Sequence, residues 1–168
     1  MEKLYNHYSV RQTICHCNVQ SAAEQCLETS AGAGTVGSVM SVFLYQGGFR
    51  IVQKSGVGQA IVHQKQALEA AHIPVTTQFS ADTQVIHINT VFPDSLLKAL
   101  WARRHGIKIV YYAHSTMEDF RNSFACSNVL APFFRRWLLL CYVQGDVILT
   151  PTEYSKQLLL SYGIHKPV

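Results

Sequence analysis

Residues 107–113 read IKIVYYA, the clearest strand-forming stretch of the chain, and His114 follows it directly. β-Branched and aromatic residues fill most of its positions, which is typical of β-strands. The residues before it begin with Pro93 and end with Gly106, the start and stop signals of a helix. A second helix is predicted after it, from Pro132 to Gly145. A strand between two such helices predicts βαβ units and a parallel sheet.

The same alternation of strands and helices continues in both directions from this stretch. Further strands are predicted at 41–46, 75–79, 85–89 and 146–150, and further helices at 59–71 and 152–162. We therefore expect an α/β, Rossmann-like, doubly wound parallel sheet of about five strands with helices on both faces. Ligands of such sheets bind beyond the carboxyl ends of the strands, so the loops after the strands are the places to search.

Composition excludes several classes of protein. The 168 residues suit one domain, and 48% hydrophobic with 14% charged residues suits a packed core. The net charge of +4 is too small to indicate nucleic-acid binding without a basic stripe. No apolar run approaches the roughly 20 residues that span a bilayer. Five irregularly spaced cysteines, without the apolar core of a secretory leader, predict reduced thiols and a cytoplasmic protein.

Residues 1–39 differ from the rest of the chain. They end in the small-residue stretch TSAGAGTVGSV, which has the composition of a linker. Gly32, Gly34 and Gly37 have the spacing of a dinucleotide-binding motif, but a strand follows them where the motif needs a helix. We therefore predict a poorly ordered or non-native extension at 1–39, a start at Met40, and a single domain at 40–168.

Two sites after predicted strands are candidates for ligand binding. Ser55-Gly56-Val57-Gly58 opens a helix, where glycines permit close approach and the helix N-terminus favours an anion. The alternative is that these glycines only turn the chain. His114 ends the strongest strand at the ligand-binding edge of the sheet, and its alternative role is a structural hydrogen bond to a loop. The Cys15-His16-Cys17 stretch lacks the second pair of a zinc site, so no metal is predicted.

Two predicted helices combine basic and apolar side chains. Such a pattern is typical of helices at a lipid headgroup boundary. The alternative is that one face of each helix simply packs on the sheet. The residues predicted to contact a membrane are Lys98, Trp101, Arg103 and Arg104 in the first helix and Phe134, Arg135, Arg136 and Trp137 in the second.

Residues 40–168 resemble the N-terminal domain of a family 4 glycosyltransferase of the GT-B fold. The resemblance extends to the Gram-positive bacterial diacylglycerol glucosyltransferases. It rests on three stretches that cover nearly everything after Met40. These are SVFLYQGGFRIVQKSGVGQAIVHQKQALEA, QVIHINTVFPDSLLKALWARRHGIKIVYYAHSTMEDFRNSF and GDVILTPTEYSKQLLLSYGI.

The resemblance implies roles for individual residues. The family's glycine loop approaches the donor diphosphate or sugar, which implies that Gly56 and Gly58 do so here. The family's histidine after the fourth strand lies at the reaction centre, which implies a catalytic role for His114. VIHIN resembles a family strand with two alternating histidines, but the second position here is Asn89. The candidates for donor or acceptor binding are thus Gly56, Gly58, Asn89, Thr152 and Glu153.

The resemblance also implies a reaction. It is retaining transfer of a hexose, glucose from UDP-glucose, to a membrane lipid such as diacylglycerol, with no cofactor. The nucleotide sugar is shared with a second, C-terminal domain that is expected beyond Val168, so this chain is expected to be inactive alone. The enzyme would lie peripherally on the cytoplasmic face of the cell membrane, bound to its anionic surface. Two alternatives stay open: a noncatalytic membrane-docking module and a Rossmann-type nucleotide-binding regulator.

Overall fold

The structure is a computed structural model that describes residues 41–121 and 127–166. The predicted extension 1–39, the predicted start at Met40 and the glycine motif of the extension lie outside the described residues. Five strands form one sheet in the order β2–β1–β3–β4–β5. Every neighbouring pair is parallel, which confirms the predicted fold class. The strands are β1 Ser41–Tyr45, β2 Val75–Thr76, β3 Thr83–Ile88, β4 Lys108–Tyr112 and β5 Val147–Leu149.

The connections between the strands contain the helices. They are α1 Phe49–Val52, α2 Gly56–Ala70, α3 Pro93–Arg104, α4 Met117–Phe120, α5 Ser127–Tyr142 and α6 Glu153–Ser161. Alternation along the strands divides the core between the two faces of the sheet. Phe43, Ile86 and Ile109 pack with residues of α3, α5 and α6 on one face. Val42 and Val85 pack with Ala67 and Leu68 of α2 on the other.

The strand order creates a switch point between β1 and β3. The connection after β1 leads to β2 on one side, whereas the connection after β3 leads to β4 on the other. The two connections leave the sheet in opposite directions, which opens a crevice at the carboxyl ends of these strands. Thr90 Oγ1 bridges it by donating a hydrogen bond to the carbonyl oxygen of Gly47 at 3.1 Å.

Three predicted boundaries differ from the structure. Pro132 does not open its helix but lies inside α5, which begins at Ser127 and already buries Ala131 before the proline. Helix α2 begins at Gly56 and not at residue 59, because Ser55 already has the extended backbone of an N-cap. The strand predicted at 75–79 ends at Thr76, whose hydroxyl bonds the backbone of Gln78 and turns the chain.

Candidate active site

A cavity of about 600 Å³ lies at the carboxyl edge of the sheet, beside the switch point. Its wall combines the loops after β3 and β4 with parts of α2, α4 and α5. Most of the wall is apolar, and none of the lining residues carries a charge. The lining residues are Val52, Val57, Asn89, Thr90, Val91, Phe92, Pro93, Ser115, Phe120, Phe134 and Trp137.

His114 lies directly behind this wall, two residues past the end of β4. Its Nε2 is 3.3 Å from Oδ1 of Asn89, and its ring stacks on Tyr112 with centroids 4.2 Å apart. Burial lowers the pKa of His114 from 6.5 to about 4. The imidazole is therefore neutral at pH 7, with one nitrogen that donates and one that accepts a hydrogen bond.

Asn89 connects His114 to the cavity. It follows β3 and is only 3% exposed. Its Oδ1 contacts His114, whereas its Nδ2 is buried and has no hydrogen-bond partner. An unpaired buried donor is costly in a folded protein, and such groups often mark functional sites.

The two candidate glycines have different surroundings. Gly56 is exposed at the first position of α2, and a Cβ there would meet nothing within 4 Å. Gly58 is buried, and a Cβ there would lie 2.4 Å from the carbonyl oxygen of Val52. The fold itself thus requires Gly58. Ser55 does not cap α2 with its side chain, because its hydroxyl bonds the Val52 carbonyl instead.

Two further glycines at the switch point were not among the candidate residues. A Cβ on Gly47 would lie 2.4 Å from the carboxylate of Asp94. Gly48 has a φ of +69°, and a Cβ there would lie 2.3 Å from the ring of Phe92. The available signal was a Gly-Gly pair directly after the first predicted strand. It lets the loop after β1 lie against the start of α3.

Aromatic side chains hold the loops of this edge in place. Each uses its one polar group on an atom of a loop or of the first turn of a helix. Tyr45 donates to Asp94 at 3.0 Å, Tyr111 to the carbonyl of Thr90 at 2.7 Å, Tyr142 to the carbonyl of Ser115 at 2.8 Å, Trp137 to the carbonyl of Val91 at 2.6 Å, and Tyr162 to Glu118. Burial, with a smaller contribution from Asp94, raises the pKa of Tyr45 to about 12. These hydroxyls therefore stay protonated and keep donating at neutral pH.

Thr152 and Glu153 lie at the same edge of the sheet, after β5, but do not line the cavity. Thr152 is the N-cap of α6 and accepts a hydrogen bond from the amide of Ser155 at 3.1 Å. Glu153 accepts a hydrogen bond from Nε2 of Gln157 at 2.7 Å. Strand β4 separates β5 from β3, so the structure does not bring these two residues together with Asn89.

The residues predicted to contact a membrane fall into two groups. One group makes contacts within the protein. Phe134 and Trp137 line the cavity, Lys98 lies over the ring of Trp101, Arg135 lies over the ring of Tyr162, and Arg103 bonds Gln144. The other group, Arg104 and Arg136, is exposed.

Exposed apolar side chains accompany these two arginines. On α3 they are Leu97 and Leu100. On α5 and at the residue directly after it, four exposed apolar residues and Arg136 follow one another at helical spacing, so they form one stripe. The apolar members of this α5 stripe are Val129, Phe133, Leu140 and Val143.

Neither a metal site nor a membrane-spanning helix is found in the described residues. No group of three or more His, Cys, Asp or Glu side chains there could hold a metal ion. Among the helices of residues 41–121 and 127–166, none has the length and apolar character to cross a membrane.

Comparison with known proteins places the chain in a family. A profile of Glycosyltransferase Family 4 matches residues 56–168. The chain is 39% identical over 127 residues to the processive diacylglycerol alpha-glucosyltransferase of Acholeplasma laidlawii. That match covers 76% of this chain and 37% of the relative's length. No solved structure gave a significant match. The chain belongs to glycosyltransferase family 4.

Proposed function

We propose that this chain forms the acceptor side of a retaining glycosyltransferase that transfers glucose from UDP-glucose to a membrane lipid such as diacylglycerol. The observation that carries the proposal is the apolar cavity at the switch point, with Asn89 in its wall and His114 in contact with Asn89. A cavity of this kind suits the apolar part of a lipid. The relative from Acholeplasma laidlawii is a diacylglycerol glucosyltransferase, which supports the same substrate class.

The donor is proposed to lie at the N-terminus of α2. This helix has 15 residues, no acidic residue in its first turn and no side-chain cap. Its free amides and dipole favour a diphosphate. The open space around Gly56 would let the backbone approach that group. Val57 lies between the two glycines and also lines the cavity, so donor and acceptor would meet at this turn.

His114 is proposed to contact the reacting sugar. A neutral imidazole can accept a hydrogen bond from a sugar hydroxyl without adding charge beside the departing diphosphate. Thr152 and Glu153 lie farther along the same edge and are proposed to contact the donor's outer part. The second domain is proposed to supply the rest of the donor site.

The outer faces of α3 and α5 are proposed to lie on the cytoplasmic surface of the cell membrane. Arg103 and Arg104 of α3 and Arg136 of α5 are exposed, and exposed leucines accompany them on both helices. Near an anionic surface each cation contributes about 1 kcal/mol. The enzyme would then meet its lipid acceptor at the surface on which that lipid resides.

The test of this function is a transfer assay with a chimera. The chain is joined to the part of the Acholeplasma laidlawii relative beyond the match and supplied with UDP-glucose and diacylglycerol vesicles. We expect a glucolipid product with the anomeric configuration of the donor, measured by NMR. A folded chimera that binds UDP-glucose and yields no glucolipid would refute the proposal.

The role of His114 is tested in the same assay. We expect His114→Ala to lower kcat by about 100-fold or more with little change in the KM for UDP-glucose, because a contact at the reacting centre acts in the transition state. The matched control is His165→Ala, which removes an exposed histidine from the segment after α6. Equal kcat values for the two variants would remove His114 from the catalytic residues.

A further inference from the structure

The imidazole of His114 is held from two directions. Its ring stacks almost parallel on the ring of Tyr112, with an interplanar angle of 14° and centroids 4.2 Å apart. Its Nε2 lies 3.3 Å from Oδ1 of Asn89. The stack fixes the plane of the ring but does not distinguish its two nitrogens. The contact with Asn89 distinguishes them, because it involves only Nε2.

Asn89 is itself held in place. Its side chain is buried, and the next residue, Thr90, is bonded through both its side chain and its main chain. Oγ1 of Thr90 donates to the Gly47 carbonyl at 3.1 Å, and the Thr90 carbonyl accepts from the hydroxyl of Tyr111 at 2.7 Å. A buried side chain on an anchored segment can orient a neighbouring functional group.

The chemistry of the two groups decides where the ring proton lies. Because His114 is neutral at pH 7, its ring carries one proton, on either Nδ1 or Nε2. An amide oxygen has no hydrogen and can only accept. The hydrogen bond between Oδ1 of Asn89 and Nε2 therefore requires the proton on Nε2. Nδ1 then has a free lone pair, and among the described residues it has no hydrogen-bond partner.

We propose that Asn89 is a positioning residue that fixes the tautomer of His114, with the proton on Nε2 and with Nδ1 as the nitrogen that contacts the substrate. Nδ1 can then accept a hydrogen bond from a hydroxyl group. It cannot bind a diphosphate or ester oxygen, because neither has a proton to donate at neutral pH. The partner of His114 is thereby limited to a hydroxyl of the reacting sugar. This inference rests on the proposed function, because it assigns a role to Asn89 at the same site.

The tautomer is measured by NMR at pH 7 on the full 168-residue chain labelled with ¹⁵N-histidine. The chemical shift of a ring nitrogen shows whether it carries a proton, and His114→Ala identifies the signals of His114 among those of the eight histidines. We expect a protonated Nε2 and an unprotonated Nδ1. If the amide nitrogen of Asn89 faced Nε2 instead, the proton would lie on Nδ1. That result, or a mixture of the two tautomers, would overturn the proposal without any change at Asn89.

The dependence on Asn89 is tested with Asn89→Leu, which keeps a similar bulk and removes both polar groups. We expect the ring of His114 to become a mixture of tautomers in this variant. The control is Asn128→Leu, at an exposed position of α5, which should keep the proton on Nε2. Circular dichroism checks that both variants fold. An unchanged tautomer in folded Asn89→Leu would also overturn the proposal.

The consequence for catalysis is measured in the chimera. We expect Asn89→Leu to lower kcat about tenfold with little change in the KM for UDP-glucose, because a misplaced ring proton weakens a contact made in the transition state. In His114→Ala the same substitution should have no further effect, since Asn89 acts only through His114. A further fall of kcat in the double variant would show that Asn89 has a separate role and would overturn the proposal.

These outcomes are separate from those of the proposed function, because the tautomer is measured without a nucleotide sugar. A protonated Nε2 that depends on Asn89, without glucosyl transfer in the chimera, would refute the proposed function alone. Transfer by the chimera, with a protonated Nδ1 in the chain, would refute the inference alone.

Discussion

His87 is a buried histidine in the middle of β3, only 3% exposed. Burial lowers its pKa from 6.5 to about 4. Between pH 4 and pH 6.5 this histidine binds a proton in the unfolded chain but not in the folded chain. The contribution of the neutral His87 side chain to the free energy of unfolding is therefore complete above pH 6.5 and is lost as the pH falls towards 4.

We expect this residue alone to lower the free energy of unfolding by about 2 kcal/mol between pH 7.5 and pH 5. Urea denaturation at the two pH values measures the loss. In His87→Leu the loss should be smaller by that amount, because the side chain no longer titrates. His165→Leu, at an exposed position, is the control. An identical pH dependence of stability in His87→Leu and the unmodified chain would show that His87 does not have a lowered pKa in the folded protein.

Gly48 and Gly56 provide a matched pair at the candidate site. Gly48 has a positive φ and lies against Phe92, whereas Gly56 is helical with open space around it. We expect Gly48→Ala to lower the free energy of unfolding by about 1–3 kcal/mol. We expect Gly56→Ala to keep the free energy of unfolding within about 1 kcal/mol of that of the unmodified chain. Urea denaturation compares the two.

Gly56→Ala also tests the proposed donor site. In the chimera, Gly56→Ala should weaken UDP-glucose binding without loss of stability, because a methyl group would enter the space proposed for the diphosphate. Unchanged binding by this stable variant would place the donor elsewhere.

Sequence reasoning identified His114 as a candidate but not Gly47 and Gly48. A histidine at the end of a strong strand is recognisable from neighbouring residues. The need for glycine at 47 and 48 depends on Asp94 and Phe92, which are distant in sequence and come close only in the folded sheet. The unpaired amide of Asn89 depends on the same long-range packing.

At the scale of elements, the loop after β4 is held by α5. Tyr142 donates to the Ser115 carbonyl at 2.8 Å and accepts a hydrogen bond from the Ser115 amide at 3.3 Å. We expect Tyr142→Phe to lower the free energy of unfolding by about 1–3 kcal/mol, because it leaves both backbone groups without this partner. Hydrogen exchange at Ser115 should also become faster.

The control for this loop is Tyr154→Phe, which removes an exposed hydroxyl of α6. It should change neither stability nor exchange. If Tyr142→Phe behaved in the same way, the loop would not depend on α5 for its position.

The strands were more predictable than the helix ends. A buried parallel strand is a continuous apolar run, so IKIVYYA and VIHIN were recognised from composition alone. The predicted start of α5 was wrong because Pro132, which has no backbone N–H to donate, lies inside the helix and not at its first position. Ala131, one residue before the proline, is fully buried, and burial against distant elements cannot be read from a local pattern.

At the scale of the whole molecule, Arg135 and Arg136 are neighbours with different surroundings. Arg136 is exposed in the α5 stripe, whereas Arg135 lies 5.0 Å from the centre of the Tyr162 ring. We expect Arg136→Glu to lower flotation with anionic vesicles about tenfold at low salt. Arg135→Glu should instead lower stability.

The control is Lys65→Glu, which makes the same charge change on α2, across the sheet from α5. It should float like the unmodified chain. Flotation of Arg136→Glu at the unmodified level would show that the α5 stripe is not the membrane face.

Sequence alone predicted a ligand site at the carboxyl edge of the sheet, because parallel strands place all their carboxyl ends together. The sequence did not predict the cavity. The shape of the cavity depends on how α5 and the loop after β3 pack, and on Trp137 turning inwards to Val91. Eight side chains of the two tryptophan-containing helices were predicted to contact a membrane, and in the structure they divide between contacts within the protein and the surface.

The one-way orientation of the strands has a practical consequence for handling the protein. Ala81 and Asp82 form an exposed turn just before β3, whereas Asn89 follows the other end of that strand. Six residues of extended chain separate the two ends by about 20 Å. A biotin tag inserted at this turn would anchor the protein to a sensor chip with its cavity pointing into the flowing sample, so candidate lipids could be screened one after another on a single immobilised preparation.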